Sequence, residues 1–290
     1  MIDKPAGWTS HQVVGNVRRI LSERRVGHAG TLDPAAVGVL PIAVGLATRT
    51  VEYLSGASKA YIADVTFGVT TDSADVDGVV TSVGDTSRLQ EFDIVQVLES
   101  FFGDQFQVPP AYSAIKVNGE RLYELARRGE SVELEPRPIR IHQISLDVWE
   151  PPTARISVDC SKGTYIRSLA RDIGERVGTG AYMSNLVRVR TGPFSLSDAV
   201  TIPELEALIT TEQWDTIAFH PDTVLQDWPT VVLDVHAATE WRHGKPVELE
   251  GVAGGLRLYD SAGEWIGVGQ GNESGSHILP TKVVTDVMEE

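Results

Sequence analysis

Apolar positions first recur at helical spacing over residues 11–22, where Val13, Val14, Val17, Ile20 and Leu21 form one stripe behind Ser10, which stands as the N-cap. A second helical segment is expected after Pro34, through about Leu46. Its apolar positions are Val37, Val39, Leu40, Ile42 and Val44, and Pro41 with two glycines keeps any helix there brief. Tyr61–Gly68 alternates as a strand that begins with an aromatic, and a short amphipathic helix is predicted from Asp93 to Phe102. Two strands follow, Ile139–Val148 and Arg155–Cys160, separated by Pro151-Pro152.

The next helix is the best marked in the chain. Thr164 is read as its N-cap, Ile166, Leu169, Ala170, Ile173 and Val177 lie on one face, and Gly178 is the stop. Leu186–Phe194 reads as a strand with alternating cations, and Ile202–Leu208 as a short helix. His220 to Pro229 has the character of a linker. Residues 228–290 carry strand signals at Val231–Val235, Leu256–Tyr259 and Trp265–Val268 and a short helix near Ala237–His243, a β-rich unit near the lower size limit for a self-sufficient core.

Composition narrows the setting. A chain of 290 residues suits one large domain plus a small one. No apolar run approaches the roughly 20 residues needed to cross a bilayer, and MIDKPAGW has neither the basic nor the apolar region of a signal peptide. The single Cys160 can neither staple the fold nor make a zinc site alone, which points to a reducing cytoplasm. The net charge of −15 argues against a nucleic-acid partner until its distribution is considered. Residues 1–60 carry 7 Lys+Arg against 4 Asp+Glu, whereas residues 201–290 carry 4 against 16. The acid lies mainly in 61–108 and 201–290, so the remainder can present a cationic face.

Candidate chemistry centres on Asp33, within GHAGTLDPAAVGVLP from Gly27 to Pro41. A carboxylate between a glycine-containing turn and an apolar segment either caps a local structure or performs chemistry. Arg167 sits in the first turn of its helix, where the dipole disfavours a cation, so it requires an anion, and Asp33 is the best candidate. Asp72, Asp75, Asp77 and Gly78 resemble part of a calcium loop. The EF-hand spacing would put Ser73 first and Gly84 twelfth, so an acidic turn is expected and no metal site. The cluster Arg18, Arg19, Arg24 and Arg25 is read either as solvated surface or as a phosphate contact. From Pro109 to Gly129, aromatics alternate with Lys116, Arg121, Arg127 and Arg128, a pattern that suits RNA and also suits a hairpin leading into a helix with no ligand.

DKPAGWTS, GHAGTLDPAAVGVLP, PPAYSAIKVNGERLYELARRG, GTYIRSLARDIG and LVRVRTGPF occur in that order, and with them the chain strongly resembles the TruB family of tRNA pseudouridine synthases. The family carries a short apolar strand before DKP, of which Met1 and Ile2 stand here. The resemblance implies an α+β pseudouridine synthase fold, with a mixed, mainly antiparallel central sheet and flanking helices over residues 1–222. It implies an RNA-gripping, thumb-like insertion at 109–137 and a small PUA-like β-rich domain at 228–290.

It further implies isomerisation of uridine 55 in the tRNA T loop without guide RNA. The N1–C1′ bond breaks, the uracil turns, and C5 joins C1′, so no cofactor is required. A carboxylate can attack C1′ or remove a proton from C2′ to give a glycal, and both routes stay open. By the same carry-over Asp33 is the catalytic carboxylate and Arg167 its ion-pair partner, expected to lower its pKa by roughly 1–3 units. Tyr61 would stack on the uracil and help remove the C5 proton, and Tyr165 and Leu186 would line the pocket. His28 would fill the space left by the flipped base, and Lys4 would support the turn or contact RNA. Lys116, Arg121, Arg127 and Arg128 would bind RNA. The protein is expected to be a cytoplasmic monomer with tRNA as partner and neither membrane nor obligate protein partner. The competing readings are a non-catalytic RNA-folding protein on the same scaffold and a guide-RNA-dependent synthase.

Overall fold

The computed structural model describes residues 1–285 except 114–115, 118, 123–124, 126–127, 129–131 and 133, and excludes the side chains of residues 116, 117 and 121. The chain divides into two compact units. The first comprises Met1–Ser22, His28–Ile42 and Ser55–Ile217, and the second Glu23–Gly27, Ala43–Leu54 and Ala218–Glu290.

The first unit is built on a sheet of eight strands among the described residues. Its order is Ile2–Lys4, Val37–Leu40, Ala181–Thr191, Lys59–Phe67, Thr153–Cys160, Arg137–Glu150 and Gly103–Gln107, with Phe194–Ser195 folded back on Ala181–Thr191. Every pairing is antiparallel except that of Val37–Leu40 with Ala181–Thr191. The expected mixed, mainly antiparallel sheet is thus the observed one. Along Lys59–Phe67 burial alternates strictly, and Lys59, Tyr61, Ala63, Val65 and Phe67 share the inner face. That period of two delivers Tyr61 to the same side as the core helix.

That helix, Ile166–Val177, buries Ile166, Leu169, Ala170 and Ile173 against Val65, Ile141 and Ile156, and Gly178 ends it in the left-handed conformation. The residue at its start differs from expectation. Tyr165 occupies the N-cap position with no side-chain cap, and Thr164 Oγ1 bonds back to Ser161 O at 3.0 Å. Gln107 supplies the missing fixation: its amide accepts from Tyr165 N at 2.8 Å and donates to Tyr165 O at 3.1 Å. A helix at Glu91–Glu99, shorter than predicted, packs on the same core through Ile94 and Leu98.

Two further expectations are corrected. The helix Ser10–Leu21 is capped by Thr9, in a reciprocal capping box with Gln12. Ser10 is buried and turns instead to Leu32, donating to its carbonyl and accepting from its amide. The segment after Pro34 is extended, not helical: Val37–Leu40 and Ile42–Val44 are strands. Its β-branched residues suit a strand, and Gly38, at φ +98°, lies so close to the neighbouring strand that a Cβ would come within 2.3 Å of Arg188 O. Tertiary pairing overrides the apolar spacing.

The second unit holds a five-stranded sheet among its described residues, ordered Thr230–Val232, Gly255–Tyr259, Trp265–Gly271, His277–Val283 and Val247–Glu248. The helix Val235–Arg242, capped by Asp234, lays the wholly buried Trp241 into this sheet, and the indole donates to Ile266 O at 2.8 Å. Leu46 and Tyr53, far earlier in the chain, pack with Trp228, Trp265 and Val268 in the same unit.

Candidate active site

Asp33 sits in a loop held on both sides. Ser10 bonds both backbone groups of Leu32, and Gly7 N donates to Pro34 O at 2.8 Å. Lys4 is fully buried beneath the loop, and its ammonium donates to the carbonyls of Trp8 at 2.6 Å, Pro5 at 2.9 Å and Pro34 at 3.1 Å. Burial pushes this ammonium down to about 8. Lys4 therefore braces the loop.

Arg167, 7 % exposed, reaches Asp33 from the first turn of its helix: Nε is 3.0 Å from Asp33 Oδ2. The anion that the helix dipole called for is present. A second one was missed, because Nη1 also lies 3.1 Å from Asp75 Oδ2, and Nη2 donates to Tyr112 O at 2.9 Å. Asp75 comes from the acidic turn and is itself fixed by Ser73 Oγ at 2.5 Å and Asp77 N at 3.1 Å. The guanidinium is thereby locked between two carboxylates in a forked geometry that a point charge could not reproduce.

The electrostatic outcome reverses the expectation for Asp33. Burial raises its carboxyl above the usual aspartate value, the Arg167 charge pulls it back, and the Asp75 charge raises it again. Because Arg167 is shared, it does not bring Asp33 below the ordinary range. Asp33 nonetheless keeps 41 % of its side chain exposed, toward the cavity.

That cavity, about 980 Å³, is lined by Asp33, Tyr61, Arg167, Tyr165 and Leu186, so five of the expected residues meet around one space. Its volume is that of a small-ligand site and accommodates a nucleoside. Tyr61 is 7 % exposed, and burial pushes its phenol up to about 12 against the opposing charge of Arg188. Asp75, Lys59 and Arg188 also line the space. Among the described residues no group of three or more His, Cys, Asp or Glu side chains is arranged to hold a metal ion.

His28 does not line this cavity; His11 does, and the His28 ring meets it edge-on at 5.5 Å between centroids. Burial, then the His11 charge, lowers His28 below its usual value. Lys116 and Arg121 belong to a two-stranded hairpin, Lys116–Val117 with Glu120–Arg121, but their side chains and all of Arg127 lie outside the described residues. Arg128 pairs with Glu120 at 2.5 Å. The residues that sequence reasoning missed are Asp75, Ser10, Gln107 and Arg188. Only Asp75 carried a signal: it was a second acid available to an arginine in need of one.

Residues 18–166 match the TruB family pseudouridylate synthase N-terminal domain. Residues 167–228 match the tRNA pseudouridylate synthase B C-terminal domain, and 229–284 the pseudouridine synthase II TruB C-terminal domain. The tRNA pseudouridine synthase B of Pseudomonas fluorescens is 42% identical over 289 residues, spanning 98% of this chain and 94% of that protein. That of Symbiobacterium thermophilum is 48% identical over 244 residues, spanning 83% and 80%. Among solved structures, a chain of a Cbf5-Nop10-Gar1 complex aligns with TM-score 0.74 at 27% identity, covering 98% of this chain and 83% of that one. Agreement of this kind runs through both compact units instead of stopping at one motif, and on that ground the chain belongs to the TruB family of pseudouridine synthases.

Proposed function

We propose that the protein isomerises uridine to pseudouridine in tRNA, at position 55 of the T loop, as a stand-alone enzyme. The observation that carries this reading is the Asp33 carboxylate, exposed to a nucleoside-sized cavity and gripped by an arginine that is itself anchored elsewhere. The reaction conserves every atom: N1–C1′ breaks, the uracil turns while held in the cavity, C5–C1′ forms, and the C5 proton is transferred to N1 or to solvent. No oxidant, reductant or phosphate is consumed, so the chemistry calls for no cofactor.

Asp33 acts at the sugar, either by attack on C1′ or by taking the C2′ proton. Arg167 holds the carboxylate in line and Asp75 holds Arg167. Tyr61 stacks on the uracil and helps remove the C5 proton, while Tyr165 and Leu186 close the walls. The target base must leave its stack, at a cost of a few kcal/mol. His28 substitutes for it in the RNA. Residues 1–222 form the catalytic domain, with Lys116, Arg121, Arg127 and Arg128 in a 109–137 thumb that grips the T stem-loop, and 228–290 form a PUA-like domain. The protein works as a cytoplasmic monomer; among the described residues no helix is long and apolar enough to cross a membrane.

A guide-RNA-dependent synthase is the second reading, supported by structural neighbours such as the H/ACA RNP bound to a substrate RNA containing 2′-deoxyuridine. The relatives named tRNA pseudouridine synthase B, two of them matched over 94% of their length, favour the first. Incubating the pure protein with an unmodified tRNA transcript separates them. Pseudouridine at one T-loop position supports the stand-alone enzyme. Binding without conversion supports an RNA-folding role, and neither outcome leaves the guided form.

A further inference from the structure

Arg188 is 1 % exposed and has no carboxylate within ion-pair distance among the described residues. A guanidinium so buried is costly unless its donors are used. Two of its nitrogens are: Nε donates to Val39 O at 2.7 Å and Nη2 to Gly30 O at 2.9 Å, on either side of Asp33 in sequence. The guanidinium also stands beside Tyr61, and both residues line the cavity. Sheet register makes this contact possible, because Arg188 and Tyr61 are direct cross-strand partners, and the register shift between Arg188 and Arg190 lies just beyond them. Gly30, at φ +85°, lets the loop lie over Arg188 and Lys59: a Cβ there would come within 3.3 Å of Arg188 Nη1 and 3.5 Å of Lys59 Cε.

We propose that Arg188 is a positioning residue of the reaction, which holds the Tyr61 ring in place at the cavity and ties it to the loop that carries Asp33. The inference rests on the role given to Tyr61 in the proposed function. Asp33 works at the sugar and Tyr61 at the base, and the two must be held in one geometry while the uracil turns between them. Arg188 touches the supports of both. Its charge also partly offsets the burial that pushes the Tyr61 phenol up, in a surrounding where Cys160 and Asp33 oppose it and Lys59, Lys4 and His28 are the other groups facing Arg188.

A double-mutant cycle tests this, with Arg188→Gln, Tyr61→Phe and the double variant compared by single-turnover pseudouridine formation on a tRNA transcript. We expect Arg188→Gln to lower the rate constant about 100-fold with tRNA affinity changed less than about threefold, and to cost less than about fivefold once Tyr61 is already Phe. Equal losses in both backgrounds would show that Arg188 acts only on the loop and would overturn the proposal, as would a wild-type rate. Arg188→Lys, which keeps the charge and can still bond the carbonyls, carries the same comparison should the glutamine variant fail to fold. The cycle is also read in thermal unfolding, which needs no turnover: non-additive Tm shifts support the Arg188–Tyr61 contact, and additive shifts refute it. An inactive wild-type protein with non-additive shifts would defeat the proposed function but leave the contact standing.

Discussion

Arg167 and Asp33 lie 134 residues apart in sequence and 3.0 Å apart in the fold, joined at the wall of a cavity. The arginine is buried and the aspartate half exposed, so the protein holds the cation still and leaves the anion free to meet substrate. Asp75, on the far side of the guanidinium, makes this asymmetry possible by anchoring Arg167 independently of Asp33.

Asp33→Asn is expected to lower single-turnover pseudouridine formation by more than about 1,000-fold while tRNA affinity changes less than about threefold. Retention of the wild-type rate would remove Asp33 from the reaction.

The same substitution is expected to stabilise the protein near neutral pH. A carboxyl whose folded pKa is raised disfavours the native state once both folded and unfolded forms have ionised, and it favours it below the unfolded value of about 3.8 relative to that ionised limit. Asparagine carries no such pH dependence. The Tm of Asp33→Asn should therefore exceed that of wild type at pH 7, and the difference should shrink as pH falls toward 4. A lower Tm at pH 7 would show that the ion pair outweighs burial.

Asp75→Asn should slow the reaction roughly 10- to 100-fold, because Arg167 loses its second anchor. The Asp75 charge also raises the Asp33 carboxyl, so its removal should move the acidic limb of the pH–rate profile to lower pH. A limb that moves upward instead would contradict this arrangement.

Lys4→Met should cost about 2–4 kcal/mol in denaturant unfolding, since the carbonyls of Pro5, Trp8 and Pro34 lose a buried donor. Activity should fall with it, yet the dependence of tRNA affinity on salt should be unchanged. A flatter salt slope would reveal a phosphate contact by Lys4.

Gly174→Ala pits helix propensity against packing. Alanine favours a helix by about 1 kcal/mol over glycine. A Cβ at 174 would stand 2.2 Å from Ala181 N and 2.5 Å from Gly180 C, both backbone atoms that cannot move alone. Packing should prevail, and Tm should fall by roughly 4–8 °C. A gain in Tm would mean that the turn after the helix yields.

Much of this protein was determined locally and is readable along the chain. The alternation from Tyr61 to Gly68 and the apolar stripe from Ile166 to Val177 are short-range consequences of periods 2 and 3.6, and both survive in the fold. The demand of Arg167 for an anion was also local, a matter of its place in a helix dipole. The identity and number of the anions were not, because Asp33 and Asp75 reach it only through strand order and a turn. Residues 37–44 show the same limit: their apolar spacing fits a helix, and pairing with strands distant in sequence, Ile2–Lys4 and Ala181–Thr191 in the case of Val37–Leu40, makes them extended. Arg188 itself read as one of several alternating cations, and its burial depends on a cross-strand register with Tyr61 that no local pattern encodes. Sequence decided which residues could do the chemistry; tertiary structure decided which charges are shared and which are buried, since those depend on distances between segments far apart in the chain.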